Sequence, residues 1–110
     1  MLDGGSDGAG FVQIMEGRSP DLARMEQIMA STQDRLHQER PEIIGGLVCD
    51  AGGGQYVQAV YFTSEAEARA HESMPIPDDV REIVEEEFRL MGEDIRYLDL
   101  HRPLLVSAHR

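Results

Sequence analysis

Proton chemistry in this chain has few places to happen. His71 sits in the stretch YFTSEAEARAHESM, residues 61–74. An imidazole that titrates near neutrality suits a general base. With Ala66, Ala70 and Met74 as the buried stripe of that helix, His71 falls roughly 100° from the stripe's centre, on the border between core and water. The plainer alternative is a solvated helix residue. Asp99 and His101 stand two apart in IRYLDLH and therefore share one face of a strand with Tyr97. A carboxylate beside an imidazole can fix its tautomer and raise its basicity. Their separation of ~7 Å along a strand is too long for a direct hydrogen bond. A polar edge-strand face, or pairing across an interface, competes with the catalytic reading. Gln13, Gln58 and Tyr61 are polar or amphipathic groups on otherwise apolar strands. A few such groups in an apolar wall describe a small-molecule cavity, although glutamines also satisfy backbone or interface groups.

Other chemistries find no support. Cys49 is the single cysteine, with neither a base nor an electropositive neighbour in sequence, and reads as a small core hydrophobe. AGGGQ, residues 51–55, lacks the Gly-Lys-Ser/Thr of a phosphate loop and precedes a strand, so it reads as a turn. The acidic run from Asp78 to Asp94 lies on a helix whose carboxylates diverge, and reads as a solvated face. The four histidines show no metal-ligand spacing, so no metal is expected. The net charge is −11, with ten arginines and no lysine against 21 acidic residues. A field of that sign repels phosphate backbones, which argues against nucleic acid as a partner. No apolar run approaches the ~20 residues of a membrane span. The opening MLDGGSDGAG lacks a signal peptide's basic and apolar regions. The expectation is a cytoplasmic protein without a membrane partner.

The elements that must position these side chains are legible. Residues 1–10 read as a flexible leader and 11–110 as one domain. FVQIMEG is a short strand. RSPDLARMEQIMASTQDRLHQER is a helix, with Ser19 as cap, Pro20 in the first turn and a stripe of Leu22, Met25, Met29, Thr32 and Leu36. EIIGGLVCD and QYVQAVYFT flank the glycine turn as a hairpin. Ser64 and Glu67 form a capping box for the next helix, which breaks at MPIP. It resumes with a second box, Asp79 and Glu82, and buries Val80, Val84, Phe88 and Met91 up to Gly92. IRYLDLH is the last strand.

The order strand–helix–strand–strand–helix–strand is the α+β, ferredoxin-like pattern, with helices on one face of a four-stranded antiparallel sheet. The other face should then be polar. Instead Val12 and Ile14 oppose Phe11 and Met15. Likewise Val57, Ala59 and Tyr61 oppose Val60 and Phe62, and Leu98 and Leu100 oppose Tyr97. Two apolar faces call for a second cover, and a second copy packed sheet to sheet about a two-fold axis supplies it. The tail LLVSAHR can extend the last strand across that interface.

A ferredoxin-like subunit that pairs through its sheet resembles the dimeric α+β barrel proteins. Within them, YFTSEAEARAHES resembles the stretch in antibiotic-biosynthesis-monooxygenase-like domains, carried by Phe62, Ser64-Glu65-Ala66 and Ala70-His71. The resemblance implies a homodimer holding a hydrophobic or aromatic small molecule and working without a cofactor. In that setting a base, here His71, deprotonates a phenol or enol, and the carbanion reacts with oxygen. Gln13, Gln58, Tyr61 and Phe62 would shape the pocket, with Asp99 and His101 near it. The chain contains no Asn and no Trp, so the Asn/Trp/His set of the family's haem-degrading branch cannot be assembled, and Phe62 stands where Trp is common. The alternative function is a non-catalytic dimeric ligand-binding or structural module, because the same fold serves both.

Overall fold

Alternation along β1 (Phe11–Arg18) divides its side chains between two environments, and the rest of the fold is built on that division. The computed structural model describes residues 8–104. After β1 come α1 (Leu22–Glu39), β2 (Ile43–Gly52), β3 (Gln55–Phe62), α2 (Glu65–Glu72), a 3-10 turn at Asp78–Val80, α3 (Arg81–Met91) and β4 (Arg96–Leu100). The sheet order is β2-β3-β1-β4, with every neighbour antiparallel. This is the ferredoxin-like arrangement expected from the element order. Part of the expected leader (residues 1–7) and most of the tail (residues 105–110) lie outside the described residues.

Phe11, Gln13 and Met15 of β1 face the helices together with Tyr56, Gln58, Val60 and Phe62 of β3, as the register Met15↔Gln58 and Phe11↔Phe62 requires. The core on this face is split. Met15, Met25, Tyr56 and Met91 form one cluster under α1 and α3, while Phe11, Phe62 and Ala68 form another under α2. Tyr56 ties the first cluster together by donating its hydroxyl to the Met91 carbonyl at 2.7 Å. Gly17 makes room for it, since a Cβ there would come within 2.6 Å of the Tyr56 hydroxyl. At the hairpin, Gly53 and Gly54 take φ of 61° and 85°, the two positive values that a two-residue type I′ turn needs.

Capping differs in detail from expectation. Asp21, not Ser19, caps α1, its carboxylate accepting from the Arg24 N–H at 3.1 Å. Ser19 is buried and its hydroxyl accepts from the Asp21 N–H at 3.1 Å, so it shapes the turn that presents the cap. Ser64 caps α2 as expected, accepting from the Glu67 N–H at 3.1 Å. The buried residue of α2 is Ala68, whereas Ala66, Ala70 and Met74 are exposed. An eight-residue helix lying on two phenylalanine rings touches them at one point, and Ala68 permits the close approach. No box forms at Asp79, because Arg35 takes its carboxylate at 2.6 Å. Phe88, expected inside, is 57% exposed, while Met91 is buried and Gly92 ends α3 at a φ of 91°.

The opposite face of the sheet carries Val12, Ile14, Leu47, Val57, Ala59, Tyr61, Leu98 and Leu100, and no element covers it among the described residues. Leu98 is 56% exposed and Leu47 47%. Cys49, expected in the core, pairs with Val57 on this uncovered face and is an exposed free thiol.

Candidate functional site

Between the two core clusters the packing parts. A cavity of about 550 Å³, open to solvent beside the exposed Phe88 and Tyr97, lies there between sheet and helices. Gln13 lies at its floor because it falls between Phe11 of one cluster and Met15 of the other. Gln58, Val60 and Phe62 from β3 and Tyr97 and Asp99 from β4 continue the floor. The helices supply the walls: Leu36 from α1 and Arg40 just past its end, Arg69 and Glu72 from α2, and Glu87, Phe88 and Met91 from α3. Apolar side chains and polar or charged ones share this lining about equally, with four charged groups, Arg40, Arg69, Glu72 and Glu87, on the helical walls.

The polar groups are organised around Arg69. Its guanidinium donates to Asp99 at 2.8 Å and to Glu72 at 3.0 Å, with Glu65 at 3.4 Å, and lies 5.4 Å from the Phe11 ring centre. Gln13 donates its amide to the other Asp99 oxygen at 3.1 Å. These two donors, Gln13 first and then Arg69, hold the Asp99 carboxyl below its ordinary value. Arg40 stacks 5.9 Å from the Phe62 ring centre, donating to Glu42 at 2.7 Å and to the Ala68 carbonyl at 3.2 Å. Gln58 contributes an unmet demand. Its side-chain oxygen is shielded from solvent and has no hydrogen-bond partner among the described residues. Leaving such a group unsatisfied costs about 1–3 kcal/mol.

Of the residues expected at a pocket, Gln13, Gln58, Phe62 and Asp99 surround the cavity. Tyr61 does not. It is three residues from Gln58, an odd step on a strand, and so faces the uncovered side opposite Val12. His101 turns to Glu65, its Nδ1 at 2.9 Å, and lies against Phe11 with ring centres 5.6 Å apart. Asp99 and His101 make no direct hydrogen bond, each having its own partners.

His71 also lies outside the cavity lining. Because α2 buries Ala68 rather than the Ala66/Ala70 stripe, His71 turns toward the end of α1 and the start of β2. Its Nδ1 is 3.2 Å from the Glu67 carbonyl and 3.3 Å from Glu42, a carboxylate only 2% exposed. Both neighbours are acceptors, so Nδ1 carries the hydrogen.

Arg40, Arg69 and Glu87 at this cavity escape a reading of the sequence alone. Each is one charge among many on an amphipathic helix, and only the packing of three helices over one gap selects them. Glu87 is half-buried, and burial pushes its carboxyl above the ordinary value. A second hollow of about 610 Å³ lies near the hairpin, edged by Glu16, Arg18, Glu93, Asp94 and Arg96. Among the described residues no group of three or more His, Cys, Asp or Glu converges to hold a metal ion, and no helix is long and apolar enough to cross a membrane.

No family model and no curated protein matches the sequence. Solved structures match in fold. A monooxygenase from the ActVA-Orf6 gene of Streptomyces coelicolor, in complex with nanaomycin D, is 13% identical with a TM-score of 0.62, over 93% of this chain and 95% of that one. SnoaB, a cofactor-independent oxygenase from Streptomyces nogalater, is 14% identical with a TM-score of 0.60, over 87% of this chain and 98% of its own. A Caulobacter crescentus protein, provisionally described as an antibiotic biosynthesis monooxygenase, is 12% identical with a TM-score of 0.62, over 86% of this chain and 92% of that one. The chain thus has the fold of these monooxygenase-like structures.

Proposed function

We propose that this protein is a cytoplasmic homodimer, joined sheet to sheet, that takes a hydrophobic or aromatic hydroxylated molecule into the cavity and oxygenates it without a cofactor. The observation that carries the reading is the gap in the core. Gln13, Gln58 and Asp99 occupy floor positions that apolar side chains would otherwise fill, and Gln58 presents an oxygen that an occupant's hydroxyl can satisfy after rotation of the amide. Phe62, Phe88 and Tyr97 offer aromatic surface to such a ligand. In the oxygenation, loss of a proton gives an enolate or phenolate that reduces O2 directly. For a ring CH2 the balance is one O2 consumed, one C=O formed and one water released, with all four electrons drawn from the substrate. The exposed free Cys49 fits a reducing compartment. The uncovered apolar face supports the pairing.

Native mass spectrometry of the untreated protein tests this reading. A dimer carrying an additional small mass is expected, and that mass should be oxidised with uptake of O2 when its reduced form is returned to the protein. Retention of the molecule without O2 uptake would favour the ligand-binding module over the enzyme. A bare monomer would overturn the sheet-to-sheet pairing.

A further inference from the structure

Three carboxylates line the cavity, and two are already engaged. Asp99 accepts from Gln13 and Arg69, and Glu72 accepts from Arg69. Glu87 has neither an ion-pair nor a hydrogen-bond partner among the described residues, although it lines the cavity and is half-buried. The neighbouring Glu86 shows the contrast, since it turns away and takes Arg24 of α1 in two contacts of 2.8 and 3.0 Å. Helix α3 thus spends one glutamate on packing against α1 and points the next, with Phe88 and Met91, at the gap in the core.

We propose that Glu87 is the proton acceptor of this site, removing a proton from an enolisable occupant. The inference rests on the small-molecule reading of the cavity and adds the group that would act there. In the step the acidic C–H or O–H bond of the occupant breaks, the proton passes to a Glu87 carboxylate oxygen, and the electron pair remains as an enolate or phenolate. Arg40 and Arg69, on the other helical walls, place positive charge near that developing anion. The step needs no oxidant, because the proton can return by the same route. Burial of Glu87 strengthens it as a base, moving its affinity for a proton toward that of the occupant. The other ionisable groups at the cavity are Arg40 at the C-terminal cap of α1, Arg69 and Glu72 from α2, and Tyr97 and Asp99 from β4.

The test uses the intact protein with 2-tetralone, an apolar ketone with acidic C1 protons, in deuterated buffer. The wild-type protein should broaden the probe's proton lines and exchange its C1 protons faster than buffer does. The rate should rise with pH through the titration of the Glu87 carboxyl. Glu87→Gln keeps the shape and should keep the line broadening, while exchange falls by about a hundredfold and loses that pH limb. Glu87→Asp should recover part of the rate and serves as the measurement if the glutamine variant does not fold. Exchange in Glu87→Gln equal to wild type, or binding to wild type without exchange above buffer, overturns the role of Glu87 and leaves the cavity reading standing. Absence of binding to the wild-type protein overturns both.

Discussion

The two faces of the sheet are built from the same strands, yet polarity is distributed between them against first expectation. The face covered by helices holds Gln13, Gln58 and Asp99, whereas the uncovered face holds Val12, Ile14, Leu47, Leu98 and Leu100. Burial alone would reverse this, with aliphatic groups under the helices and amides in water. The difference is accounted for if each face is fitted to something that is not in the chain's own interior. Amides inside a split core suit a small molecule, which needs a few placed hydrogen bonds. The aliphatic stretch of Val12, Ile14, Leu98 and Leu100, with the polar Glu16, Gln55 and Arg96 confined to one end of that face, suits a second protein surface, which contributes its own apolar area.

That contrast can be broken most severely on the uncovered side. Leu98→Glu places two uncompensated carboxylates in the proposed dimer interface, one from each copy, and should weaken association by about 3–5 kcal/mol. Sedimentation at micromolar protein should then show monomers, and an unchanged sedimentation coefficient would remove the pairing argument. On the covered side Gln58→Leu removes the unsatisfied amide. The ligand-free protein should gain about 1 kcal/mol in denaturant unfolding, while its affinity for 2-naphthol falls by a similar amount. A loss of stability instead would make Gln58 a packing residue. The smallest effect concerns acid. The Asp99 carboxyl is held below its ordinary value of 3.8, so its contribution is fully present above that pH and is lost as pH falls through the lowered value. Asp99→Asn should therefore flatten the acid limb of the stability curve below about pH 4. An unaltered limb would show that the Gln13–Asp99–Arg69 chain is not coupled to folding.

Much of this contrast was legible in the sequence because strand alternation needs no knowledge of partners. Phe11 against Val12, Phe62 against Tyr61 and Tyr97 against Leu98 follow from parity, and so do both apolar faces. Parity equally places Gln13 and Gln58 on the helical side and Tyr61 on the other. Helix orientation is less legible. Periodicity picks out the stripe Ala66, Ala70 and Met74, but a short helix is oriented by what lies beneath it, and Phe11 and Phe62 select Ala68. That rotation turns His71 to Glu42 and Arg69 to Asp99, two contacts between residues far apart in the chain. The cavity itself is a property of how α1, α2 and α3 fail to meet over Gln13, and no local pattern encodes it.

Tyr56, Tyr61 and Tyr97 are the three tyrosines of a chain without tryptophan. One is sealed in the core, one lies on the uncovered face and one borders the cavity. The protein is therefore its own set of optical labels. The buried Tyr56 phenol, pushed up by its surroundings, is the one to withstand alkaline ionisation, and its release marks unfolding. The ultraviolet signature of Tyr61 should respond to the proposed pairing, and that of Tyr97 to the proposed occupant, without a fluorophore being added.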